Sequence, residues 1–344
     1  MINKKVKDNP EIKSITPQAA ITGGEVLIRG RGFQKNGAAQ PQVYFGQVAG
    51  RISISSEKLI LVRVPDKATG NSVTVKTPNA KSPSMDLVIG RQLAGKLHPV
   101  ANPAVDAKGN VFVTFSGSRG QGTSVSVYKI NTEGEVQPFL TEIMNPTGIT
   151  FDRAGQMYVS SRFEGNVYKV SPSGERSVYA DGMGVATGIA FDDKENLYVG
   201  DRSGTIFKID QKQTIFVFAT LEPGMAAYHL AFGPSGYLYL ASPTTLSFDV
   251  ILKISPKGEV SEFYRGLGRP QGLAFDQEEN LYVAASLRGQ RGIVRITQSG
   301  KAELVISGPN LVGLAIGKDQ RTVLSTTNSV YELPWNVAGQ PLLA

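Results

Sequence analysis

The sequence predicts an all-β protein in two parts, a small β-sandwich followed by a closed six-bladed β-propeller. Three observations predict it. The 344 residues are 41% hydrophobic and 19% charged, with 38 glycines and 19 prolines spread among many Val, Ile, Tyr and Phe, the composition of short strands punctuated by turns. Residues 9–90 alternate apolar and polar between clusters of Gly, Pro and Asn. From residue 91 onward a strand pattern recurs every 40–46 residues.

The amino terminus, "MINKKVKDNPEIKSITP", is basic but has no apolar stretch of the kind a secretory signal carries, and no run elsewhere approaches membrane-spanning length. The expectation is a chain with no targeting signal and no membrane span, its compartment left open. Cysteine is absent, which excludes a disulfide framework, a thiol nucleophile and a cysteine metal site. The formal net charge is +7, but its Lys and Arg are scattered and not gathered into a basic stripe interleaved with aromatics. That excludes a recognisable nucleic-acid module and leaves the charge as a solubility feature.

In the first part, apolar strands are expected at Glu25 to Arg29, Val43 to Phe45, Leu59 to Val64 and Ser72 to Lys76. The motifs "ITP" (Ile15 to Pro17), "GG" (Gly23-Gly24), "IRGRGF" (Ile28 to Phe33), "VYFG" (Val43 to Gly46) and "VRVP" (Val62 to Pro65) resemble the immunoglobulin-like IPT/TIG domain. The resemblance covers nearly all of residues 9–90 and implies a spacer or interaction module, without chemistry.

In the second part, aligned copies read "AVDAKGNVFV", "ITFDRAGQMYV", "IAFDDKENLYV", "LAFGPSGYLYL", "LAFDQEENLYV" and "LAIGKDQRTVL", each followed by a third strand such as "NVYKV" or "TIFKI". A fourth strand follows in the first five copies. Four strands per forty residues is the period of a propeller blade, whose sheet buries both faces against its neighbours. The sixth copy stops at "SVYELPW", while "RQLAGKL" (Arg91 to Leu97) lies before the first copy where a fourth strand belongs. This strand is expected to complete the sixth blade and remove two exposed sheet edges. The propeller is thus expected over 91–335, with 336–344 as a tail. The copies resemble the NHL-repeat and SMP-30/gluconolactonase group of six-bladed propellers, a likeness of fold that many functions share.

Function on a propeller is written where the copies differ at the channel mouth. Three or four residues before the residue that closes each first strand (Val105, Phe151, Phe191, Phe232, Phe275 and Ile316) stand Ala101, Thr147, Thr187, His229, Gln271 and Val312; just past the second strand stand Phe115, Ser161, Asp201, Ser242, Ala285 and Thr326. Lactonases of the SMP-30 type hold a divalent metal with Glu, Asn and Asp, the Asn in a "P-N-G" before an innermost strand. Here those positions read Thr147, Thr187, His229 and Gln271; no copy has the Asn, and only Asp201 matches the family's carboxylate.

Asp201 therefore has three readings. It is a ligand for calcium or another divalent cation, which needs several convergent oxygens; it is the carboxylate of a metal-free cradle with Arg162 and Arg202; or it is an Asx-type turn residue in "GDRSG", the reading that turn chemistry alone favours. His229 reads as a general base or, more simply, as a hydrogen-bonded channel histidine with no partner nucleophile in sight. With two histidines and no cysteine, a zinc site is not expected. The streptogramin-lyase branch also places histidine near a propeller mouth, but in a "P-H-G" context where this chain has "AYHLAF". The segment "GRQLAGKL" (Gly90 to Leu97) nearly spells a P-loop, yet Leu97 replaces the magnesium-binding hydroxyl and a strand repeat follows instead of a helix.

The expectation is a non-catalytic binding or scaffold protein. It needs no cofactor and uses Thr147, Arg162, Thr187, Asp201, Arg202, His229 and Gln271 around one mouth. The expected occupant is a small polar or anionic ligand, a glycan or a protein partner. The alternative is a metal-dependent lactonase with Asp201 as first ligand, and more remotely a streptogramin-lyase-like enzyme.

Overall fold

The computed structural model describes residues 9–34, 39–68, 70–118, 120–245, 248–317 and 319–340. By internal contacts the chain forms two units: residues 1–91 with Leu304–Pro309, and Gln92–Glu303 with 310–344. No helix among the described residues is long and apolar enough to cross a membrane.

The first unit is a sandwich. One sheet runs in the order Glu11–Thr16, Glu25–Arg31, Leu59–Arg63, Arg51–Ser55, and the other in the order Val48–Ala49, Gln42–Phe45, Ser72–Lys76, Met85–Asp86. Strict alternation explains it: Val26, Ile28, Ile60 and Val62 from the first sheet meet Val43, Phe45, Val73 and Val75 from the second, all fully buried. One member of this unit comes from far along the chain. Ala19 and Ala20 pair in parallel with Ile306 and Ser307 on one side and with Val88 and Ile89 on the other. The Ser307 hydroxyl also accepts the Glu25 N–H at 2.9 Å.

The second unit is a six-bladed propeller. The innermost strands, Ala104–Val105, Pro146–Phe151, Ala186–Phe191, His229–Phe232, Leu273–Phe275 and Leu311–Ile316, each open an antiparallel sheet, and successive innermost strands adjoin around the ring. Arg91–Gly95 pairs beside Ser329–Pro334 as the outermost strand of the sixth blade, and Leu97 and Ala94 pack there against Val111, Val113, Val323 and Val330. The near-P-loop segment is thus a strand. The innermost strands lie so close that Gly188 donates its N–H to Tyr228 O at 2.8 Å, and a β-carbon on Gly188 would stand 2.4 Å from that oxygen. This is why the repeat carries glycine there.

Two repeated devices hold the blades. At the hairpin between first and second strands, Asp192 accepts the Asn196 N–H and side-chain amide at 2.8 and 2.7 Å, and the Tyr198 hydroxyl at 3.3 Å. Asp276, Asn280 and Tyr282 repeat the pattern. Tyrosines at this position of the repeat face the next blade: Tyr158, Tyr198 and Tyr239 meet Phe191, Phe232 and Phe275 edge-on at 4.8–4.9 Å between centroids.

The sixth innermost strand ends in Ile316, so Tyr282 lacks that partner. Trp335, from beyond the last strand, supplies it at 5.4 Å and 85°. Residues past 335 are accordingly tied down: Gln277 donates its N–H to Ala338 O, and Gln340 donates to Phe275 O. What the sequence presents as a tail from 336 is, as far as residue 340, a strap on the fifth and sixth blades.

Candidate functional site

Loops joining second to third strands, and loops entering each innermost strand, gather at one end of the blades. Every sequence-predicted site residue lies at that end, but the structure does not join them into one open site. Asp201 is buried, 4% exposed. Its Oδ1 accepts the N–H of Val185 at 2.8 Å and of Ser203 at 3.1 Å, and its Oδ2 accepts the Ser203 hydroxyl. The loop it receives is pressed close: Gly184 takes φ +61°, and a β-carbon there would lie 2.7 Å from Oδ2. In the preceding blade Ser161 does the same work, donating to Met144 O at 2.6 Å and accepting the Glu164 N–H at 3.1 Å. Asp201 is therefore the turn residue that pins the entering loop to the hairpin.

The cradle of Asp201 with two arginines does not form. The Arg162 guanidinium donates to Gly117 O at 3.3 Å, while half-buried Arg202 serves through its backbone, donating to Val185 O and accepting from Gly224 N–H. Thr147 and Thr187 are buried, and their hydroxyls are occupied: Thr147 donates to Asn145 O at 3.3 Å, and Thr187 donates to Gly200 O at 2.8 Å and accepts the Tyr228 N–H at 3.1 Å. Gln271 is half-buried. His229 is buried, its imidazole makes no hydrogen bond among the described residues, and burial lowers its pKa to about 4. It is neutral at pH 7, a weak base with no group orienting it.

A divalent cation needs several convergent oxygen donors. Asp201 has spent its oxygens within the chain, and among the described residues no three His, Asp or Glu side chains stand close enough to share a metal ion. The donor set does not fit the lactonase metal.

What the mouth does offer lies between the third and fourth blades. A cleft of about 580 Å³ opens there, walled by Leu221, Tyr228, Leu240 and Leu252. Tyr228 is fixed by its hydroxyl, which donates to Glu222 O at 2.6 Å. Met225 and Phe248 stand at the rim, 65% and 68% exposed. Ser242, Thr244 and Arg265, with Thr220, Glu222 and Asp249, add polar groups to a largely apolar lining. Asp249 braces the floor, accepting the N–H of Thr244 and of Arg269, each at 3.2 Å. Sequence reasoning missed this cleft because Met225 and Phe248 sit in loops that do not obey the repeat. The available signal was length: the connection from Ser242 to Phe248 exceeds the short "GDRSG" type of turn.

Residues 10–88 match the IPT/TIG domain family. No curated protein matches the chain in sequence. Among solved structures, an auxiliary nutrient binding protein from Bacteroides thetaiotaomicron is 13% identical, with 95% of this chain and 98% of that chain covered and a TM-score of 0.56. A putative gluconolactonase is 17% identical, covering 73% and 93%, at 0.59. Virginiamycin B lyase from Staphylococcus aureus is 14% identical, covering 86% and 97%, at 0.50. At these identities the likeness is one of fold, and it joins binding proteins and enzymes alike.

Proposed function

We propose that the protein is a non-catalytic binding protein whose ligand is a glycan, held in the cleft between the third and fourth blades. The cleft carries this reading: an apolar wall with an exposed Phe248 and Met225 suits the C–H face of a sugar ring, and Ser242, Thr244 and Arg265 suit its hydroxyls. The nutrient-binding relative of like fold is consistent with it. Against hydrolysis stand the spent carboxylate of Asp201 and the neutral, unoriented His229. In this reading the repeats of 91–335 are of the NHL/SMP-30 kind put to binding, and the sandwich of 9–90 is a spacer.

The test is an immobilised glycan array probed with the full chain and with Phe248→Ala, with hits measured by titration calorimetry. Loss of the exposed ring leaves the fold intact and weakens binding by about tenfold, the weight of one stacking contact with part of its buried area. Chelator leaves wild-type binding unchanged. Retention of no glycan at millimolar concentration, or equal binding by Phe248→Ala, overturns the proposal.

A further inference from the structure

The fourth blade departs from the repeat. Its outermost strand, Val260–Gly268, continues past its own blade and pairs with the second strand of the fifth, Leu267 opposite Leu287 and Gly268 opposite Ser286. That second strand, Leu281–Leu287, turns through Arg288 and Gly289 at φ +51° and +82° and returns as Gln290–Ile296, with Ser286 opposite Arg291. Gly268, Ser286 and Arg291 thus form one row across three strands, about 10 Å from end to end at two strand spacings. Arg269 leaves one end of the row, Arg291 holds the other, and Arg288 caps the hairpin between them.

Three guanidinium groups therefore issue from a single rim of the mouth. None of the three makes an ion pair or a side-chain hydrogen bond among the described residues. Arg291 is half-buried, and its pKa is lowered by that burial and by the charge of Arg269. The acid tied to this rim is Asp249, whose carboxylate accepts from Thr244 and from the Arg269 backbone N–H and offsets one of the three charges. The contrast within the protein is direct: Arg31, Arg176, Arg265, Arg295 and Arg321 each pair with a glutamate. Two guanidinium charges crowded on a strand row, one half withdrawn from water, are left with two positive charges to neutralise, and guanidinium is the side chain that matches oxyanions bidentately.

We infer that Arg269, Arg288 and Arg291 form a binding site for an oxyanion group, a sulfate or phosphate ester. The site goes beyond the glycan cleft, with which it shares only the brace Asp249.

The test is titration calorimetry of the full chain at fixed ionic strength with inorganic sulfate, inorganic phosphate, galactose 6-sulfate and glucose 6-phosphate. The wild type binds them saturably, and whichever ester binds tighter than its inorganic anion identifies the source. Arg288→Asn keeps a residue tolerant of the left-handed turn, so it folds, and weakens binding about tenfold, as loss of one charge-assisted hydrogen bond does. Arg288→Asn combined with Arg291→Gln abolishes it. Lys212→Gln, in a turn at the opposite end of the third blade, binds as the wild type does. Phe248→Ala also binds as the wild type, which separates this site from the cleft. Absence of saturable binding, its survival in the double variant, or equal loss in Lys212→Gln overturns the inference.

Discussion

Replacing Asp201 by alanine tests whether this carboxylate builds a turn or holds a metal. The substitution removes the acceptor of the Val185 N–H at 2.8 Å and of the Ser203 N–H and O–H. The Ser203 groups can turn to water, so most of the loss falls on the Val185 N–H, which stays in a crowded loop without an acceptor. A hydrogen bond to a charged acceptor contributes roughly 1.5–3 kcal/mol, and leaving the donor of half-buried Val185 orphaned costs about 1 kcal/mol more, the low end for such groups. Because these terms overlap, the expected loss is about 2–4 kcal/mol. For a unit of this size that lowers the unfolding midpoint by roughly 4–16 °C. Asparagine keeps one oxygen for the backbone donors and should lose about 1 kcal/mol. The assay is calorimetric melting of wild type, Asp201→Ala and Asp201→Asn, each with calcium and with chelator, following the propeller transition separately, since two units need not melt as one. Asp201 is not the turn-building residue if Asp201→Ala melts like the wild type in chelator, or if calcium raises the wild-type midpoint and not that of the variant.

Two other perturbations address the interior. His229 is protonated more readily in the unfolded chain, at about 6.5, than in the fold, at about 4. The stability from burying it neutral is therefore complete above about pH 6.5 and lost as the pH falls towards 4, on the order of 2–3 kcal/mol between pH 7.5 and 4.5. Urea titrations at those two pH values should show a loss smaller by that amount in His229→Leu, and equal losses would refute it. Trp335→Ala removes the partner of Tyr282 and should cost about 2 kcal/mol, below the range for a fully buried ring because Trp335 is half-buried. Trp335→Phe should recover most of it, as read by circular dichroism, and an unchanged Trp335→Ala would show that the strap does not hold the ring.

The fold was legible because its forces are local and repeated. An aromatic at the end of four of the six first strands, Asp four residues before Asn, and a glycine where innermost strands touch each leave a mark at a fixed interval, and "RQLAGKL" could be placed by elimination. The departures were not legible, since each depends on a pairing that occurs once. The two-residue strand Ala19–Ala20 has no period of its own and meets Ile306–Ser307 from the far end of the chain. Trp335 reads as tail until one sees that Ile316 leaves Tyr282 without a ring. At the mouth, sequence showed which positions differ between copies but not which way their polar atoms are spent. Thr187 and Asp201 differ between copies because each blade ties its loops with a different side chain, while Met225 and Phe248 lie where the copies cannot be aligned.

The strand Arg91–Gly95 closes the sixth blade beside the last strand of the chain, and this sets an order in time. On the ribosome it is the first piece of the propeller to be made and must wait for the final one, Ser329–Pro334, before it has a partner. Until then the growing chain carries two open sheet edges and a closure between the two ends of the propeller's sequence, a slow kind of contact to find and one exposed to misassembly. Two chains held close at that moment can each complete the other's ring with this strand, forming a swapped dimer that needs no interface beyond those already in the monomer.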